Sequence, residues 1–176
     1  MASPFPLSGP KLVTPERLAA LVADRQAAGE TVVFTNGVFD LLHVGHARYL
    51  AEARALGDVL VVAVNADESV RGFKGDLRPI VPLAERMEML ASLSCVDFVV
   101  PFATRTPAPL IEALRPAVYV KGGDYREEDL PEARGVRGYG GEVRILSLVA
   151  GRSTTDIIAR VCAAYAPPRA GAQAGA

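Results

Sequence analysis

The chain concentrates its imidazole in one place. His43 and His46 are its two histidines, and they stand three residues apart around Gly45 in FTNGVFDLLHVGHARYL. Such a pair can be plain helix-surface histidines, half of a metal site, or two donors to phosphate. The metal account is the weaker one, because zinc needs further ligands and no third histidine or nearby cysteine cluster follows. The phosphate account explains more. A helix beginning here aims free N–H groups and its positive dipole end at the same point. Gly37 and Gly45 let a ligand approach the backbone. Beside a polyanion the protonated imidazoles are favoured, which adds charge.

Other residues of the same chemistry lie elsewhere. Of nineteen basic residues sixteen are Arg, and the three Lys are Lys11, Lys74 and Lys121. Lys74 and Lys121 precede glycine and suit phosphate contact, since an ammonium can follow a phosphate as its geometry changes. Lys11 reads as an ordinary solvated lysine. GRSTT, Gly151 to Thr155, supplies a helix cap in Ser153 or Thr154 and a guanidinium clamp in Arg152. Asp40 has two readings of equal weight: holding Mg²⁺ through water, or fixing the turn by bonding backbone. Asp67, Asp76 and Asp124 are weaker signals.

These residues need a frame that brings them together. Hydrophobic patterning predicts helices in TPERLAALVADRQAAG (capped by Thr14), from Val44 to Leu56, in PLAERMEMLASLS, in TPAPLIEALRP (capped by Thr106) and in GRSTTDIIARVCAAY. Short apolar strands are predicted in TVVFTNG, DVLVVAVNAD, VDFVVPF, AVYV and EVRIL. ESVRGFKGDLRPIV reads as a polar loop carrying Lys74, and the stretch from KGGDY to Gly141 as irregular. Strand and helix alternate five times, which predicts an α/β fold: a Rossmann-like, doubly wound parallel five-stranded sheet. TNG, NAD, KGGDY and GRSTT then all fall at one sheet edge, where ligands bind in such folds.

Composition narrows the function. A net charge of −1 argues against a nucleic-acid partner. No apolar run reaches a membrane span, and the N-terminus lacks a secretory pattern, so a cytoplasmic location and reduced, mostly buried Cys95 and Cys162 are expected. The expected organisation is a lead-in over 1–11, one domain over 12–165 and a disordered tail over 166–176. G-x-G-x-x-G at this turn, G-x-x-x-x-G-K-[ST] and G-x-S-x-G are absent, which disfavours a dinucleotide enzyme, a P-loop NTPase and an α/β-hydrolase.

His43-Val44-Gly45-His46 resembles the signature of the HxGH nucleotidyltransferase superfamily. The ordered set TNGVFDLLHVGH, KGDLRP, VKGGDY, GGEV and GRSTT looks like its branch that adenylylates D-glycero-β-D-manno-heptose 1-phosphate, over about residues 12 to 164. The resemblance implies transfer of AMP from ATP to a sugar 1-phosphate with release of pyrophosphate, Mg²⁺ as cofactor, a homodimer, and the stand-alone form of a domain that many members fuse to a sugar kinase. It implies catalytic roles for His43, His46, Lys74 and Arg152. Nucleotide contacts fall to Thr35, Asn36, Gly37, Val38, Phe39, Gly45, Lys121, Gly123, Asp124, Ser153 and Thr154. The rival enzyme is a cytidylyltransferase using CTP with glycerol phosphate, another polyol phosphate or a phosphonate. The rival from another class is a nucleotide-binding sensor without catalysis.

Overall fold

A computed structural model describes residues 9–123, 125–147 and 151–165. Thr14 accepts a hydrogen bond from the Arg17 N–H and starts α1 (Pro15–Ala27). The chain then alternates: β1 (Val32–Gly37), α2 (Val44–Arg54), β2 (Val59–Asn65), α3 (Asp67–Lys74), α4 (Leu83–Ala91), β3 (Phe98–Phe102), α5 (Ala108–Leu114), β4 (Val118–Gly122), a 3-10 turn (Glu127–Asp129), α6 (Ala133–Gly138), β5 (Glu142–Leu146) and α7 (Thr154–Tyr165). The five strands form one parallel sheet in the order β3-β2-β1-β4-β5. Every residue of β2 is buried, as a strand covered on both faces requires. Leu18, Val22, Phe34, Ile111 and Tyr119 pack on one face of the sheet, and Val33, Leu50, Leu60, Val62 and Leu90 on the other. The doubly wound α/β sheet is therefore as the patterning implies.

Local details differ. The segment read as a polar loop is helical over Asp67–Lys74. Acidic Asp67 and Glu68 open it and basic Arg71 and Lys74 close it, matching the helix dipole, and only Val70 is buried. Thr106 does not cap α5, which begins after Pro107 without a side-chain cap; the Thr106 carbonyl accepts from the Thr104 hydroxyl instead. The stretch read as irregular holds the 3-10 turn and α6. Cys95 is half-buried and Cys162 exposed, so the second thiol is not a core residue: α7 buries none of its side chains. Lys11 is not merely solvated; its ammonium donates to the Leu93 carbonyl at 2.9 Å. The expected tail, 166–176, lies outside the described residues, as does most of the lead-in. No described helix is long and apolar enough to cross a membrane.

Candidate active site

β1 pairs with β4 only as far as Thr35 and Val120, whereas its pairing with β2 continues to Gly37 and that of β4 with β5 to Gly122. Two neighbouring strands thus part while each keeps its outer partner. The crossovers leave them on opposite faces, so a crevice opens between them, the usual ligand position in such sheets. A cavity of about 270 Å³ lies there.

His43 is the N-cap of α2. Its Nδ1 accepts the Gly45 N–H at 3.1 Å, so in the neutral ring the proton sits on Nε2. The His46 ring stacks on it, with centroids 3.9 Å apart, and meets Phe39 edge-on at 5.4 Å. Gly45 is needed for this packing, because a Cβ there would lie 2.9 Å from the His43 ring and 3.3 Å from the Arg152 carbonyl. Burial lowers the pKa of both histidines. That of His46 falls to about 4, with His43 adding to the fall and Asp40 opposing it. Both rings are therefore neutral donors in the free protein. His46 Nδ1 is buried without a hydrogen-bond partner among the described residues.

The turn that carries the pair is strained and tied down. Phe39 and Leu41 have φ of 52° and 48°, a region that costs side-chain-bearing residues energy and persists only when neighbours enforce it. Asp40, between them, does the enforcing. Its buried carboxylate accepts Arg78 Nε at 2.8 Å and the N–H groups of Ile80 and Val81 at 3.0 and 2.9 Å, and its carbonyl accepts the Thr154 hydroxyl at 2.7 Å. Of the two readings of Asp40, these are the bonds of the turn-fixing one. The described residues contain no cluster of three or more His, Cys, Asp or Glu. Arg86, 1 % exposed, completes the frame: it donates to the Val38, Asn65 and Val81 carbonyls and pairs with Asp67 at 2.6 Å.

α7 starts against this turn. Ser153 accepts the Asp156 N–H at 3.0 Å and so caps the helix. With Arg152 O against Gly45 and Thr154 bonded to Asp40, two helix N-termini meet at one cavity. On the far side of the crevice, Asn36 Oδ1 accepts from Tyr119 OH at 3.0 Å and Lys121 Nζ at 3.2 Å; burial lowers the Lys121 pKa, with Glu132 opposing.

Of the residues singled out from sequence, His43, His46, Lys74, Arg152, Asn36, Gly37, Val38, Phe39, Asp40, Gly45, Lys121, Ser153 and Thr154 line the cavity. Thr35 does not: it is wholly buried below it, bonded to Tyr49. Gly123 lies just past the lining at the end of β4, and Asp124 is outside the described residues. Tyr49, Arg78, Gly122 and Thr155 also line the cavity and were not singled out. Arg78, Gly122 and Thr155 stood inside motifs that were noticed; Tyr49 reads as an ordinary helix aromatic.

A cytidylyltransferase-like family model matches residues 34–160. The bifunctional protein HldE of Geobacter sulfurreducens is 51 % identical over 148 residues, 84 % of this chain and 30 % of that protein. The bifunctional protein HldE of Hydrogenovibrio crunogenus is 56 % identical over 146 residues, 83 % of this chain and 30 % of that one. The chain thus spans about a third of the length of these curated relatives. Among solved structures, a lipopolysaccharide core biosynthesis protein from Thermoplasma volcanium superposes with a TM-score of 0.58 at 29 % identity, covering 69 % of this chain and 98 % of its own. A pantoate-beta-alanine ligase from Francisella tularensis, at 14 % identity and a TM-score of 0.57, shares the fold.

Proposed function

The chain belongs to the cytidylyltransferase-like family of nucleotidyltransferases, and from that premise we propose that it transfers AMP from ATP to D-glycero-β-D-manno-heptose 1-phosphate, forming ADP-heptose and pyrophosphate. The observation that carries a phosphate-transfer reading is the meeting of the α2 and α7 N-termini at one cavity, with two imidazoles and the cations Lys74, Lys121 and Arg152 around it. The heptose acceptor is supported by the ordered motifs from TNGVFDLLHVGH to GRSTT.

Mg²⁺ carried on the nucleotide would offset the triphosphate charge. An oxygen of the acceptor phosphate attacks the α-phosphorus in line, a new P–O bond forms, the bond to the β-phosphate bridge breaks, and the electron pair leaves on pyrophosphate. The acceptor phosphate is itself the nucleophile, so the protein's work is positioning and charge stabilisation. His43 Nε2–H and His46 donate to oxygens whose charge grows at the α-phosphorus. Arg152, Ser153 and the free N–H groups of α7 hold the β and γ phosphates. Lys74 reaches the triphosphate or acceptor phosphate from the end of α3, and Lys121 the nucleotide or acceptor across the crevice.

The test is a pyrophosphate-release assay crossing ATP, CTP, GTP and UTP with a panel of sugar 1-phosphates. ATP with the heptose phosphate is expected to turn over fastest. The family's cytidylyltransferase character makes CTP with glycerol phosphate the rival pair, and preference for it would replace this reading.

A further inference from the structure

Thr35 and Val120 form the last registered pair of the β1–β4 ladder, the point from which the crevice opens. One side chain from α2 spans that pair. The Tyr49 hydroxyl lies 2.6 Å from Thr35 Oγ1 on β1 and donates to the Val120 carbonyl on β4 at 3.2 Å. A phenol has a single proton, so with that proton on Val120 the Thr35 hydroxyl donates to Tyr49. The result is a directed chain of hydrogen bonds from β1 through α2 to β4, buried and shielded from water. Burial pushes the Tyr49 pKa far up, so the proton stays in place. The ring is seated as firmly: a Cβ on Gly122 would lie 2.9 Å from its Cε2. On the opposite sheet face the same crevice is bridged by Asn36, which holds Tyr119 and Lys121.

Tyr49 stands three residues beyond His46 on α2, about one turn. Resting on the nucleotidyltransferase reading above, we infer that Tyr49 is a positioning residue: its hydroxyl pins α2 across the parting strands and so fixes where His46 stands relative to the Lys121 side of the crevice. The same contact gives Thr35 its role, which is to complete the strut from below rather than to touch nucleotide.

Two readouts separate this role from general support of the fold. The first is kinetic. Tyr49→Phe keeps the ring and removes the strut, so kcat is expected to fall about tenfold with the nucleotide KM little changed, because the phosphate-binding N-terminus of α7 is untouched. Thr35→Val should match it, the double variant should be no worse than either single, and Thr35→Ser should keep wild-type turnover. The second readout needs no turnover. With two histidines in the chain, imidazole NMR signals are few enough to follow one by one. Tyr49→Phe should move the His46 signal and raise its titration midpoint from about 4 towards 6.5. Tyr139→Phe, which deletes a single hydroxyl bond to the Pro116 carbonyl away from the cavity, should change neither readout. Unmoved His46 signals in both Tyr49→Phe and Thr35→Val, or additive losses in the double variant, overturn the inference. A wild-type protein without pyrophosphate release on any substrate pair overturns the functional reading instead, while the NMR arm still decides whether Tyr49 holds His46.

Discussion

The β1–α2 turn and the segment from Asp67 to Pro82 both line the cavity, yet they are built in opposite ways. The turn is packed: His46 lies between His43 and Phe39, Tyr49 braces the helix beneath it, and Asp40 is 1 % exposed. The segment is tied at its far end, where Arg78, Ile80 and Val81 hold the Asp40 carboxylate. At its near end Arg86 holds Asp67, but its middle stands in solvent. Phe73 is 56 % and Leu77 91 % exposed on either side of Lys74, and the helix stops at Gly75 with φ of 86°. Groups that stabilise charge developing at one atom gain most from being fixed beforehand, because no reorganisation is then needed during reaction. A cation that must admit a substrate and then meet it gains from an exposed stem. The two regions divide these tasks.

The sharpest way to break the contrast is to cut what joins the regions. Arg86 binds carbonyls of the turn and of the segment together with Asp67, whose other oxygen accepts the Leu83 N–H at the start of α4. Arg86→Ala leaves these partly buried groups unmatched and empties a buried side-chain volume, so a loss of about 3 kcal/mol is expected in chemical denaturation. A loss below about 1 kcal/mol would show the two regions to be held independently. Next come the histidines. His46→Ala and His43→Ala should each lower kcat by ~10²-fold or more, with folding retained; near-normal turnover in both would remove the pair from the chemistry. Lys74→Ala should cost about tenfold in kcat/KM with an unchanged Tm, since nothing packs on an exposed stem. If Tm falls with it, the segment is part of the packed frame and the contrast fails.

The sequence announced some of this plainly. The strands of an enclosed parallel sheet are nearly continuous apolar runs, so VVF in β1 and VLVVAV in β2 could be placed with little error. The ligand edge followed from where TNG, KGGDY and GRSTT fell. What escaped was polar structure whose cause is tertiary. α3 contains Gly72 and has only Val70 and Phe73 as large apolar residues, so its stripe is too short to read. Arg86 in LAERMEML looks like a surface helix residue, and its burial follows from carbonyls contributed by positions 38, 65 and 81. The resemblance places Thr35 among the nucleotide contacts, with TNG at the end of β1. Strand alternation puts it on the opposite face from Asn36, under α2, where Tyr49 meets it.

The smallest effect tests the packed region on its own terms. His46 has a folded pKa near 4 against an ordinary 6.5, chiefly because burial disfavours the charged ring. Between those values the unfolded chain binds a proton that the folded chain refuses. Stability is therefore fully present above about pH 6.5 and declines as pH falls towards 4. Between pH 7.5 and 5.5 the loss from this one residue should be about 1 kcal/mol. His43 is shifted in the same direction by burial and adds to the decline. Asp40 does not interfere. Burial alone would raise its carboxyl, but the Ile80 and Val81 amides and Arg78 outweigh this and hold it below the ordinary 3.8, so its contribution is lost only in stronger acid. Denaturation curves at the two pH values, for wild type and His46→Asn, isolate the contribution. The asparagine variant should show a flatter dependence by about 1 kcal/mol over the interval. Equal slopes would mean that the His46 ring is as hydrated as an exposed side chain, and the packed half of the site would then be no more preorganised than the half that carries Lys74.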